Sequence, residues 1–216
     1  MEKNMSLKSP ARGKAIGVFC GARAGVQAQY LDVAEKLGEA LVRRGAGLVY
    51  GACGVGIMGA VAGAVATAGG SVTGVIPHHL FEREKPDLAS GNIYVVRTMH
   101  ERKALMYDLS MGFAVLPGGL GTLDELMEVA TWNQLRIHEK PIVLINQGGF
   151  FDPLIAMLDH VVAEGFLTQE ERSAIRVTAD VDHALDWLGL SVAPVPMAPQ
   201  ADEPAPLRQS LAQPVV

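Results

Sequence analysis

Only two cysteines, Cys20 and Cys53, occur in the 216 residues, and neither has CxxC spacing or a companion Cys/His set. A disulfide framework and a zinc finger are therefore excluded, and reduced thiols in a cytoplasmic setting are expected, with both cysteines read as small packing residues and contact of one with ligand as the lesser alternative. Aromatic residues make up 6% of the chain, no Lys/Arg cluster alternates with them, and the formal net charge is -5. These features disfavour a nucleic-acid partner. No GxSxG segment is present, which leaves a Ser/His/Asp hydrolase without footing. His78, His79 and His100 belong to no i, i+4 histidine pair or acidic cluster, so no metal site is expected. Residues 1–14 are polar and lead into a short apolar run, too short for the core of an export signal.

Acidic and basic residues are missing altogether between Gly45 and Phe81, where Gly59 and Gly63 even form a GxxxG. A membrane span is nevertheless the weaker reading. Ten of the 24 glycines fall between Gly45 and Gly74, the doublet Gly69-Gly70 breaks the pattern, and the apolar content is Ala and Val rather than Leu and Phe. The segment reads instead as a buried strand, a glycine loop, a small-residue helix and a second buried strand. No membrane partner is expected.

What the chain has is alternation. Apolar strand patterns fall at residues 15–20, 47–50, 71–76, 93–96, 113–116 and 142–145, and helical periodicity at 27–44, 57–68, 99–110, 123–137 and 153–164. Near-continuous apolar strands alternating with helices predict a doubly wound, Rossmann-like α/β fold with a parallel sheet covered on both faces. It should occupy residues 14–190 as a single domain. Residues 1–13 and the Pro/Ala-rich stretch 191–216 have little to bury and read as disordered tails.

Pro117-Gly118-Gly119-Leu120-Gly121-Thr122-Leu123-Asp124-Glu125 follows the fifth strand and opens a helix. Its glycines permit positive φ and close backbone approach, and the free N–H groups at a helix start suit an anion, so a phosphate-bearing ligand is expected. Thr122 should cap that helix, with Glu125 as the reciprocal half of a capping box. Gly54-Val55-Gly56-Ile57-Met58-Gly59 spells the dinucleotide fingerprint. It follows the second strand rather than the first, and the next strand ends without a ribose-binding acid, so a nicotinamide or flavin enzyme is not indicated. These glycines let a nucleotide and a tightly packed helix approach the sheet.

A second constellation, Thr98-Met99-His100-Glu101-Arg102-Lys103, again follows a strand. Thr98 and Glu101 have capping-box spacing, which places Arg102 and Lys103 early in a helix, where cations oppose the helix dipole. Neither has an acidic residue three or four positions away, so a nearby anion is expected. Ligands in open α/β sheets bind beyond the carboxyl ends of the strands. Both helix starts should therefore share one crevice and bring Arg102 and Lys103 toward Glu125 and the 118–122 loop. Met99, Met106, Met111, Trp132 and Leu135 read as core or subunit-interface packing.

The segments 117–125 and 99–106 together resemble the PGGxGTxxE and MHxRKxxM motifs of the LONELY GUY (LOG) family of cytokinin riboside 5'-monophosphate phosphoribohydrolases. The resemblance runs over about residues 15–188 and takes in 50–59 and 128–132. It implies hydrolysis of the N-glycosidic bond of an adenine-type nucleoside 5'-monophosphate to free base and ribose 5-phosphate, without a cofactor. Family members have long carried a lysine decarboxylase label, but no recognisable pyridoxal-phosphate site is present. By position, the resemblance implies Arg102 and Glu125 as the catalytic pair. Substrate contacts would come from Glu84, Lys103, Gly118, Gly119, Leu120, Gly121, Thr122, Leu123, Asp124 and Thr131, in a homodimer.

Two departures bear on specificity. Ala22-Arg23 follows Cys20-Gly21 where the family has a CGS-type loop, and Ala52-Cys53 replaces two of three successive glycines. Arg23 is a candidate phosphate contact in place of the family's serine. The residues also suit the chemistry directly: a carboxylate near C1' can stabilise oxocarbenium character and orient water, while Arg102, always charged, serves positioning and electrostatics. A non-enzymatic carrier on the same fold, such as a molybdenum-cofactor carrier, is the competing reading. The pairing of Arg102 with Glu125 favours the enzyme.

Overall fold

The computed structural model describes residues 14–81 and 91–191. Residues 1–13 and 192–216, which hold almost all of the expected tails, and Glu84 lie outside the described residues.

Among the described residues, seven strands form one wholly parallel sheet in the order β4-β3-β2-β1-β5-β6-β7. They are β1 (Ala15–Phe19), β2 (Gly47–Tyr50), β3 (Val72–Pro77), β4 (Asn92–Val96), β5 (Gly112–Val115), β6 (Ile142–Ile145) and β7 (Ile175–Thr178). The helices are α1 (Gln29–Arg43), α2 (Gly56–Thr67), α3 (Met99–Leu109), α4 (Leu120–Gln134), α5 (Asp152–Ala163), α6 (Gln169–Ser173) and α7 (Val181–Trp187). The sheet is buried on both faces, which is why β2, β5 and β6 read as unbroken apolar runs. One core layer joins alternate strand residues such as Val18, Leu48 and Ala114 to α1, α2 and α7. The other joins Phe19, Phe113 and Leu144 to α3, α4 and α5.

The uncharged stretch after Gly45 resolves into β2, α2 and β3. No helix among the described residues is long and apolar enough to cross a membrane. The small side chains of α2 permit close helix packing: a Cβ on Gly38 of α1 would lie 2.7 Å from the Ala64 Cβ and 2.8 Å from the Val61 carbonyl. Larger residues would push the two helices apart.

Three elements, β7, α6 and α7, were not expected from the sequence. Ile175–Thr178 is four residues long and its second residue is the exposed Arg176, so its pattern is weak; it becomes a strand because β6 offers an unpaired edge, pairing Ile142 with Ile175 through Ile145 with Thr178. The start of α4 also differs from expectation. Gly119 is extended (φ -100°, ψ -152°) and occupies the N-cap position, three residues before the predicted cap. Thr122 therefore lies inside the first turn, buried, and no side chain caps the helix. The expected capping box of Thr122 and Glu125 does not form. At α3 the cap is as expected: Thr98 Oγ1 accepts from the Glu101 N–H at 3.1 Å. The Glu101 carboxylate returns to the Arg97 N–H at 2.8 Å, one residue before the cap.

A candidate active site at the crossover of β1 and β5

Chain connections leave β1 toward β2 on one side, and β5 begins the opposite half of the sheet, so the strand order reverses between β1 and β5. At such a point the loops diverge and leave a crevice. Three loops build its floor. The Gly21 N–H donates to the Pro117 carbonyl at 3.0 Å, and the Gly21 carbonyl accepts from the Met58 N–H at 3.1 Å. Gly56, at φ +64°, packs so closely that a Cβ there would lie 2.6 Å from Arg23 N, which leaves room only for glycine.

The resulting cleft, about 710 Å³, is lined by Arg23, Arg102, Gly118, Gly119, Leu120, Gly121, Thr122 and Glu125 among the expected residues. None of Gly118, Gly119 and Gly121 uses the positive φ that glycine permits. Gly118 is needed for space instead, since a Cβ on it would collide with the Thr122 side chain and sit 2.9 Å from Gly21 N. Cβ atoms on Gly119 and Gly121 would meet nothing within 4 Å. The first backbone bond at the helix start runs from Leu123 N to Gly119 O at 3.1 Å, so the N–H groups of Leu120, Gly121 and Thr122 have no partner within the helix.

Arg102 reaches the cleft from α3. Its guanidinium donates through Nη2 to the Gly51 carbonyl at 3.1 Å, and its Nη1 lies 3.5 Å from Met99 Sδ. Gly51 has to be glycine for this, because a side chain would occupy the guanidinium's place. Arg102 Nε is buried without a hydrogen-bond partner among the described residues. Glu125 faces Arg102 across the cleft without forming an ion pair with it. Burial pushes the Glu125 carboxyl up to about 7, against the pull of Arg102; Asp124 and Glu128 add to the rise and Lys103 opposes it.

Lys103 meets the expected nearby anion, and the protein itself supplies it. Its Nζ lies 2.7 Å from Glu128 and 3.2 Å from Asp124, both on α4 and hence invisible to an argument along α3 alone. Lys103 and Asp124 flank Glu125 beside the cleft. Thr131 lies elsewhere: twelve residues after Gly119, about 18 Å down the helix, it donates to the Met127 carbonyl and lines a separate hollow with Ile142 and Ile175, at the amino ends of β6 and β7.

Cys20, Tyr30, Met58 and Phe150 also line the cleft and were not assigned to the site from sequence. Cys20 was readable in principle, since it is the first residue beyond β1 at the crossover. Its thiol is pushed up by burial, then by the charge of Glu125 and by Cys53. Phe150 arrives from the loop after β6 and packs edge-on against Tyr30 at 5.7 Å, a contact no local pattern announces. At the departure Ala52 the backbone adopts φ 61°, the left-handed conformation that glycine takes freely, at a cost of about 1 kcal/mol. Neither Ala52 nor Cys53 lines the cleft.

A protein-family model described as possible lysine decarboxylase matches residues 58–188. The cytokinin riboside 5'-monophosphate phosphoribohydrolase LOG of Oryza sativa is 47% identical over 165 residues, covering 76% of this chain and 68% of the relative. The chain belongs to the LOG family. Another LOG-family relative, the cytokinin riboside 5'-monophosphate phosphoribohydrolase of Rhodococcoides fascians, is 42% identical over 182 residues, covering 84% of this chain and 92% of its own. Among solved structures, the molybdenum cofactor binding protein of Rippkaea orientalis superposes with a TM-score of 0.61 at 20% identity, over 82% of this chain and 96% of that one. The molybdenum cofactor carrier protein of Chlamydomonas reinhardtii gives 0.61 at 21%, over 81% and 94%. These two likenesses establish a shared fold.

Proposed function

We propose that this LOG-family chain hydrolyses the N-glycosidic bond of adenine-type nucleoside 5'-monophosphates, cytokinin riboside 5'-monophosphates among them, to the free base and ribose 5-phosphate. The observation that carries this reading is the convergence in one cleft of an uncapped helix start, a carboxyl poised near neutrality and an arginine with an unpartnered buried Nε. The 5'-phosphate is held by the N–H groups of Leu120, Gly121 and Thr122 at the positive end of α4. Arg23, exposed at the rim, adds a charge to that end. Glu125, as the carboxylate, stabilises positive charge developing at C1' and accepts a proton from the attacking water as the new C1'–O bond forms. The C1'–N bond breaks with its electrons leaving on the base, which takes up the proton that Glu125 accepted and so restores the carboxylate, while Arg102 stabilises negative charge on the sugar phosphate or the departing base.

The carrier reading rests on neighbours near 20% identity, whereas the relatives above 40% identity carry the phosphoribohydrolase name. The enzyme is read as cytoplasmic and homodimeric. Leu135, Ile137 and Met157 expose large apolar side chains, a surface suited to a second copy. A contact between Thr131 and substrate also calls for that second copy, because within one protomer Thr131 and the phosphate cradle stand far apart on α4. Release of adenine from AMP, followed alongside adenosine, tests the reading: AMP should be cleaved far faster. Equal turnover of the two would remove the cradle from the mechanism.

A further inference from the structure

We propose that Glu128, anchored by the Tyr107 hydroxyl, is a positioning residue that locks α3 to α4 through Lys103 and so fixes Arg102 and Glu125 relative to the scissile bond. The inference rests on the functional reading above. Arg102 and Lys103 are adjacent on α3, while Asp124, Glu125 and Glu128 occupy one turn of α4. The two groups assigned to the chemistry thus stand on different helices, and neighbouring side chains tie those helices together. Lys103 Nζ spans the gap to Glu128 at 2.7 Å and to Asp124 at 3.2 Å, with 12% of its side chain exposed.

Glu128 has a second partner at the same oxygen: the Tyr107 hydroxyl donates to Oε2 at 2.7 Å. The Tyr107 ring is itself fixed, buried among Phe19, Phe113 and Trp132 in edge-on contacts of 5.1–6.0 Å between centroids. A rigid aromatic anchor, a carboxylate and an ammonium therefore form a chain from the core to the flank of the cleft. Burial, reinforced by Glu128, keeps the Tyr107 phenol far above its ordinary range and hence a permanent donor. Burial pulls the Lys103 ammonium down, but its hydrogen bonds to Glu128 and Asp124 outweigh that and raise it above its ordinary value, so it stays charged. Such a network restricts motion along its whole length, and small misplacement of catalytic groups is costly in rate.

Glu128 also balances the field at Glu125. The charged and titratable groups facing Glu125 are Arg102 and Lys103 from α3, Asp124 and Glu128 from α4, Tyr107 from α3 and Cys20 from the end of β1. Glu128 opposes the charge of Lys103, so its removal leaves Lys103 to favour the Glu125 carboxylate.

The test uses Glu128→Gln and Tyr107→Phe in the full chain, with Glu125→Gln as reference. Both positioning variants should lower kcat for AMP about tenfold with KM within about twofold. In Glu128→Gln the acid limb of the kcat–pH profile should also move down by about half a pH unit or more. A purely structural role would move melting temperature while leaving kcat and the profile in place. Wild-type kcat and profile in folded Glu128→Gln, with Glu125→Gln inactive, would overturn the positioning role alone; if Glu128→Gln fails to fold, unchanged kcat in Tyr107→Phe does so. Full turnover in Glu125→Gln would instead remove the functional reading beneath it.

Discussion

Glu125 combines a cost to the fold with a gain to the chemistry. Because burial lifts its folded pKa from 4.5 to about 7, the native state retains a proton that the unfolded chain releases. Stability attributable to this group therefore falls as pH rises from about 4.5 to 7 and stays low above that. Glu125→Gln removes the penalty and should raise stability at pH 8 by up to about 3 kcal/mol, while lowering kcat by about a hundredfold or more. Thermal melts at pH 5 and 8 together with base-release assays check both halves; a variant destabilised at pH 8 would contradict the desolvation account. The same titration predicts that wild-type kcat falls as pH drops through about 7, where the carboxylate takes up its proton. Arg23, exposed at the rim, should act on binding: Arg23→Ala should raise KM for AMP several-fold with little change in kcat. Unaltered KM would remove it from the phosphate site.

At the scale of the element, the opening of α4 separates two uses of glycine that sequence alone runs together. Gly118 is sterically required by Thr122 and Gly21, whereas Gly119 and Gly121 face open cleft. Gly118→Ala should therefore distort the loop, lowering both melting temperature and activity. Gly121→Ala should leave the fold at least as stable, since alanine is the better helix former by roughly 1 kcal/mol. Its added methyl should weaken AMP binding about tenfold or more by obstructing the approach to the helix N–H groups. Calorimetric titration with AMP on the two folded variants distinguishes them, and undiminished binding by Gly121→Ala would place the phosphate elsewhere. The Thr98 cap of α3 could be read from spacing because the accepting hydroxyl and the donating Glu101 N–H are three residues apart, whereas the α4 start could not, because Gly119 adopts an extended conformation at the end of the PGG loop. That one shift turns Glu125 from a helix-capping residue into a side chain free to face Arg102.

For the whole molecule, the apolar surface at Leu135, Ile137 and Met157 and the remoteness of Thr131 from the cleft lead to one expectation. The mass in solution at micromolar concentration should be that of a homodimer, and Leu135→Asp should shift it toward the monomer. Light scattering checks this, and a monomeric wild-type chain at that concentration would contradict it.

The sequence by itself determined the alternation of strands and helices, the parallel sheet, and the meeting of the 99–103 and 117–125 segments at one end of it. These follow from apolar periodicity and from the rule that parallel strands deliver their following loops to the same edge. It also marked Arg102 and Lys103 as cations that a local pattern leaves unexplained. Tertiary structure decided how that charge is met: Lys103 by Asp124 and Glu128 on another helix, and Arg102 by a glycine carbonyl 51 residues away. It decided that β7 exists, because a four-residue strand is made by the edge it joins. It decided the protonation of Glu125 as well, since desolvation and four charges from two helices set that value, and a carboxylate's surroundings are a property of three dimensions.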